Sequence, residues 1–416
     1  MECIICRINK DPSHMSDEHV IPDSLGGYYH IYNVCTPCNS KLGQTVDGPL
    51  VNHKLTELYR FIHQRAGKTG AIPNPFAGAI SVAENPSIRA RATTDDEGNL
   101  SFTLLPNVRV QEADGSAVSI EISVDAREEG SIQEILDKKL ERMGIDPART
   151  IRNDLTRGSH DGGFTSRWAF DTRDFKIGLL KIAYEFAVDS VKDFFETDEA
   201  NEIARILREA DYGSAERFVK FGSGLQDKIF EPFLDFLDLN SNKHYLVLID
   251  SEMGLLCFIK LHALFCVGVV LTQRGLLADG EAYFGINDID GRSFRKLTFE
   301  DVLHKCLGPT YIQLGYFFHT EEQARVAAAE IQVPGFTHEV NAADEFQFYD
   351  VAGNKDPRTL SELTADAPCS AQREGSWFEE VFDLDHSEQI FIRSVGAGKF
   401  YRVSSIKVSR QPVRKL

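Results

Sequence analysis

The chain has 416 residues, 42% of them hydrophobic and 26% charged, and a net charge of −18. That composition is globular rather than fibrous or disordered, and the length calls for two or three domains. The acidity excludes a protein that coats nucleic acid non-specifically, and the most apolar stretch, residues 261–271, is too short to span a bilayer.

The N-terminus, MECIICRINK, has no apolar core behind its charges, so a cytoplasmic location with no membrane partner is expected. Residues 1–50 are rich in Cys, Gly and Asn and poor in apolar runs, as in a small domain stapled by metal. A helix is expected over residues 40–46. Another is expected over 50–65, where Leu50, Leu55, Leu58, Phe61 and Ile62 follow helical spacing. The stretch 67–76, with two glycines and two prolines, reads as a connector.

Residues 77–124 alternate as strands, with turns at Asp96-Glu97-Gly98 and Asp114-Gly115. Helical patterns follow at 131–143, at 175–188 (apolar almost all round, hence buried) and at 200–207. Strands return over 244–271, and the segments around Asp290-Gly291 form a hairpin. Thr320 and Gln323 open a capped helix that runs to residue 331, and two strands end the chain. The fold class expected is α+β, with a small zinc-stapled ββα-metal module followed by a larger mixed region. The divisions expected are 1–66, the connector 67–76, then 77–240 and 241–416, the last two able to form one domain.

Two features are set aside. Counting back from Gly291, the first ligand position of a calcium loop falls on Ile286, so Asp288–Gly291 reads as a turn. Phe221-Gly222-Ser223-Gly224 lacks the lysine of a phosphate loop.

Charge is unevenly placed. Residues 1–75 carry seven Lys/Arg and seven Asp/Glu, whereas the stretch from Gln389 to Leu416 holds seven basic residues and no acid. The latter is either a phosphate-facing strip or a counterweight to an acidic surface. Lys41, Lys54, Arg60, Arg65 and Lys68 either track a nucleic-acid backbone or form a solvated helix face.

Of eight cysteines, Cys3/Cys6 and Cys35/Cys38 form two C-x-x-C pairs with 28 residues between them. That is the ligand count and bite of a four-thiolate zinc site, in which metal supplies much of the folding energy of a short chain. Cys257, Cys266, Cys306 and Cys369 stand alone, as buried thiols do. Between the knuckles, Glu18 and His19 are adjacent, so an extended strand turns them to opposite sides. Pro22 and Gly26-Gly27 then break the strand into a loop. Asn33 precedes Cys35, and Asn39 follows Cys38 where a helix begins. His14 and His30 read as exposed loop residues, and Asp47 falls roughly on the face of Asn39.

E-H-V-I-P-x-S-L-G-G … N-V-C-x-x-C-N, residues 18–39, resembles the HNH endonuclease motif, and the resemblance covers about residues 3–47. It implies that Glu18 and Asn39 hold a catalytic divalent ion and that His19 is the general base. Asn33 would brace the loop and orient the histidine, while Cys3, Cys6, Cys35 and Cys38 hold structural Zn2+. With Asn where other members carry His, the donor set is hard and favours Mg2+ or Mn2+.

The function expected is hydrolysis of phosphodiester bonds in nucleic acid, most directly double-stranded DNA. A bacterial defence role is hinted at by the resemblance alone. Target recognition, homo-oligomerisation or control falls to the C-terminal region. The competing expectation is a non-catalytic zinc knuckle that binds nucleic acid or protein, in which Glu18 and His19 are dispensable.

Overall fold

The computed structural model describes the whole chain except residues 68–69, 84, 96–98, 113–117, 152, 154, 159–162, 169–170, 221–226, 279, 335, 375 and 386–388. Lys68, the turns at 96–98 and 114–115, and the Gly pair at 222 and 224 therefore lie outside the described residues. Two compact units are formed, one from residues 1–230 with 239–298 and the other from 231–238 with 299–416.

The first unit opens with a hairpin and helix: β1 (Met15–His19), β2 (His30–Cys35) and α1 (Thr36–Leu42), then α2 (Gly48–Val51) and α3 (Lys54–Ile62). The helix expected over 50–65 is broken, because Asn52 leaves the helix and the His53 side chain caps the next one by accepting from Leu55 N–H. Strands β3 (Ala79–Val82), β4 (Arg89–Thr94), β5 (Leu100–Leu104), β6 (Asn107–Glu112) and β7 (Val118–Ser123) follow, then α4 (Ile132–Met143) and β8 (Phe164–Thr165). They pair as a four-stranded sheet ordered β5-β4-β3-β8 and a separate β6-β7 ribbon.

At the centre stands α5 (Arg173–Ser190), followed by α6 (Lys192–Phe195), α7 (Asp198–Glu209) and α8 (Tyr212–Ala215). From Ile177 to Ala187 every residue of α5 is buried, as its all-round apolar pattern requires. Strands β9 (Val219–Lys220), β10 (Lys243–Ser251), β11 (Gly254–Leu261), β12 (Phe265–Thr272), β13 (Ala282–Asp288) and β14 (Ser293–Thr298) form an antiparallel sheet ordered β14-β13-β10-β11-β12-β9. Helix α5 packs between this sheet and the N-terminal hairpin. One apolar cluster runs from Cys3, Val34 and Leu42 through Ile177 and Ile182 to Leu248 and Val267. The approach is close: a Cβ on Gly178 would lie 2.9 Å from Leu50 Cβ.

The second unit comprises α9 (Phe299–Cys306), β15 (Tyr311–Tyr316), α10 (Glu321–Ile331), β16 (Phe348–Tyr349), β17 (Lys355–Asp356), α11 (Leu360–Thr364), β18 (Cys369–Glu374), β19 (Trp377–Asp383), β20 (Ile390–Arg393) and β21 (Phe400–Arg410). Its sheet is ordered β17-β16-β20-β21-β19-β18, with β15 also on β21. Phe348, Ile392, Val403 and Ile406 form its core. The basic C-terminal stretch is largely neutralised here: Arg402 pairs with Asp385 at 3.0 Å, Lys407 with Glu379 at 2.6 Å, Arg393 with Glu339 at 3.5 Å, and Lys399 with Glu330. These cations therefore serve as counterweight to acids of the same unit.

No helix among the described residues is long and apolar enough to cross a membrane. Asp288 closes a turn by accepting from Gly291 N–H at 2.7 Å, in keeping with a hairpin and not a calcium loop.

Candidate active site

The four N-terminal cysteines converge, their sulfurs all within 4.8 Å of one another, and Cys6 Sγ lies 3.9 Å from Cys35 Sγ. Tetrahedral thiolates at a zinc–sulfur distance of about 2.3 Å are about 3.8 Å apart, so the donor set fits zinc. Cys3 and Cys35 are buried in the apolar core, which ties the knuckle to α5 as well as to the hairpin.

Two consecutive glycines shape the loop between β1 and β2. Gly26 has φ +83°, left-handed backbone that favours glycine, while a Cβ on Gly27 would fall 1.9 Å from the Ile21 carbonyl oxygen. The large sheet pins this loop from outside. Asn287 donates to the Gly26 carbonyl at 2.8 Å and accepts from Tyr28 N–H at 2.6 Å, and the His244 ring meets the Leu25 carbonyl at 2.9 Å. Tyr29 donates to Asp189 at 2.5 Å and stacks on Phe294, with centroids 3.8 Å apart.

The hairpin register sets His19 opposite His30 and Glu18 opposite Ile31, with an irregularity between Ser16 and Glu18. Such a bulge re-aims side chains locally. Asn39, in the first turn of α1, donates its amide to Ser16 Oγ at 3.0 Å and to the Asp17 carbonyl at 2.8 Å, fastening helix to strand. Asn33 accepts from Ile4 N–H through its backbone carbonyl, and its buried side-chain oxygen has no hydrogen-bond partner among the described residues. A cleft of about 440 Å3 opens between hairpin and helices, lined among others by Glu18, His19, Asn39, Asp47 and Arg60.

Beneath it lies a buried charge cluster reached from α5. Lys181, fully buried, pairs with Glu18 and with Asp47 at 3.1 Å, lies 3.6 Å from Glu185, and donates to the His19 carbonyl at 2.7 Å. Burial opposes the ammonium charge, but Asp47, Glu185 and Glu18 outweigh it and raise its pKa. Glu185, also fully buried, is pushed well above the usual carboxylate range by burial, against the pull of Lys181.

Three groups at the site were not singled out from sequence: Asp17, Lys181 and Glu185. Lys181 and Glu185 had left a signal, an i,i+4 charged pair inside a helix otherwise apolar all round. His30, expected in a loop, begins β2 and meets Asp17.

A family model described as HNH endonuclease matches residues 3–55. The N-terminal segment is thus HNH-like and zinc-binding in type, and the match ends in the first turn of α3, before Lys181 and Glu185. No curated protein and no solved structure matches the chain.

Proposed function

We propose that the N-terminal segment is a metal-dependent endonuclease that hydrolyses phosphodiester bonds in DNA. The observation that carries this is the convergence of Glu18, His19, Asn39 and Asp47 on one cleft beside the cysteine cluster. A scaffold needs only the cysteines, and an acid, an imidazole and an amide lining one cleft are what phosphodiester hydrolysis requires.

The cleft donors other than His19 are oxygens, a set suited to Mg2+ or Mn2+. Glu18 and Asn39 would hold the ion; with its amide nitrogen committed to Ser16 and Asp17, Asn39 offers its carbonyl oxygen. Such an ion, when bound, offsets negative charge that builds on the phosphate and on the leaving oxygen. His19 removes the proton from the attacking water. Lys181 holds the His19 carbonyl and the Glu18 carboxylate, so the base and the metal ligand keep a fixed separation. Asn33, whose backbone carbonyl ties β2 to Ile4 of the first knuckle, would keep the hairpin in place for the histidine. Target recognition or control falls to the rest of the chain.

Nicking of supercoiled plasmid by the full-length protein tests this. The expected result is cleavage that needs Mg2+ or Mn2+, stops with EDTA, and is lost in Glu18→Ala and Asn39→Ala. Equal cleavage by these variants and the wild type would refute the assignment. A protein that binds DNA and never cuts it would point to the zinc-knuckle binder instead.

A further inference from the structure

The hydrolysis proposed above leaves Asp17 and His30 without a task, although both converge on His19. His30 stands directly across the hairpin from His19, with ring centroids 4.2 Å apart and ring planes inclined by 53°. Its Nδ1 lies 2.7 Å from Asp17 Oδ1. One donor atom from each of Asp17, His19 and His30 falls within 4.8 Å of the others; Asp17 is exposed and the histidines are half-buried, so the cluster is open to ions from solvent.

These donors differ in kind from their neighbours in the cleft. Two imidazole nitrogens and one carboxylate suit zinc, cobalt, nickel or copper, whereas the oxygens of Glu18, Asn39 and Asp47 suit magnesium or manganese. Ligand bonds of about 2.0–2.1 Å in a tetrahedral site place neighbouring donor atoms about 3.3 Å apart. Asp17 and His30 lie near that spacing, at 2.7 Å, and His19 offers a ring nitrogen within 4.8 Å of both. Asp17 and His19, two residues apart, share one face of β1, and the register sets His30 on that face opposite His19.

We infer that Asp17, His19 and His30 form a further metal site, selective for zinc-class ions over magnesium, whose occupation switches the nuclease off. An imidazole nitrogen bound to a metal has no lone pair with which to take a proton from water. Zinc would then act on this protein in two opposite ways: at the four cysteines it holds the fold, and at the hairpin face it removes the base. The inhibitory part rests on His19 being the base; the metal site does not.

The test uses full-length protein that retains its cysteine-bound zinc, in buffer containing Mg2+. Zn2+ and, for its visible spectrum, Co2+ are titrated into the wild type, His30→Gln and Asp17→Asn, reading bound metal and plasmid nicking together. The expected result is one further equivalent bound to the wild type with nicking lost in step. Both variants should nick as the wild type does without added zinc, and should need at least ~10-fold more zinc for half-inhibition, the scale on which loss of one supporting group weakens a metal site. Failure of the wild type to take up a further equivalent, or half-inhibition of the variants at the wild-type concentration, would overturn the site. If a further equivalent binds and is lost in the variants while no metal ever supports nicking, the metal site stands and the nuclease assignment falls.

Discussion

Lys181 Nζ donates to the backbone carbonyl of His19 at 2.7 Å, joining a helix deep in the first unit to the proposed base 162 residues earlier. The same ammonium pairs with Glu18 and Asp47. Replacing it with methionine keeps the volume and strands two carboxylates in a buried site. Removing one partner of a buried ion pair typically destabilises by about 3–5 kcal/mol. Lys181→Met should lower the urea midpoint accordingly and reduce nicking at least ~10-fold even in the fraction that is folded, since positioning of the reacting groups is lost. Glu185→Gln is the control: burial works against a charge on Glu185, so a neutral amide of the same shape should leave stability and nicking near wild type. Equal damage from both changes would contradict the charge assignment.

Cys38→Ser removes one thiolate from the cluster that joins the hairpin to α1. Zinc content should fall from one equivalent to a fraction, and limited proteolysis should open the segment before β3 first. Zinc content unchanged in this variant would mean that the four sulfurs do not share an ion.

The glycines of the hairpin loop and of the C-terminal cap of α1 should respond oppositely. Gly27→Ala places a methyl 1.9 Å from a carbonyl oxygen and should abolish soluble expression or strip the cleft of its geometry. Gly43 has helical φ −55° and ψ −35°, and a methyl group added there would meet nothing within 4 Å. Gly43→Ala should therefore stabilise by about 0.4–1 kcal/mol, read as a raised urea midpoint.

Stability should fall on the acid side through His244. This residue is wholly buried, and burial holds its pKa down to about 3, against the favourable bond to the Leu25 carbonyl. In the unfolded chain the imidazole titrates near 6.5. Between about pH 6.5 and 3 the unfolded state binds a proton that the folded state refuses, so unfolding is favoured by about 1.4 kcal/mol for each unit of pH lost in this window. Above pH 6.5 the contribution is constant. His244→Gln keeps a donor for Leu25 and should flatten urea midpoints between pH 7.5 and 5. A residual slope from His262, held down to about 4 mainly by burial, should remain. An unchanged slope in the variant would exclude His244 as the source.

The parts of the site carried by local spacing were legible in the sequence: two cysteine knuckles, the Glu18-His19 pair, the double glycine and Asn39 at a helix start. Asp17 and His30 were not, because the cross-strand register decides which side chains meet, and it is not written in residue spacing. Lys181 was hidden by distance along the chain, and only its charge within an apolar helix marked it. The helix over residues 175–188 was readable from its pattern, whereas β18 was not, since all six of its residues are exposed and show no alternation. The cap at residue 320 was half foreseen. Thr320 accepts from Gln323 N–H, but the Gln323 side chain returns to His319 N–H instead of closing on Thr320.

The most direct test of the central claim is the single-turnover nicking rate of His19→Ala against wild type on supercoiled plasmid in Mg2+, at matched zinc content. Loss of a positioned general base should lower the rate about 10²–10⁴-fold while leaving DNA binding within a small factor. A variant that cuts as fast as the wild type would remove His19, and with it the proposed mechanism, from this protein.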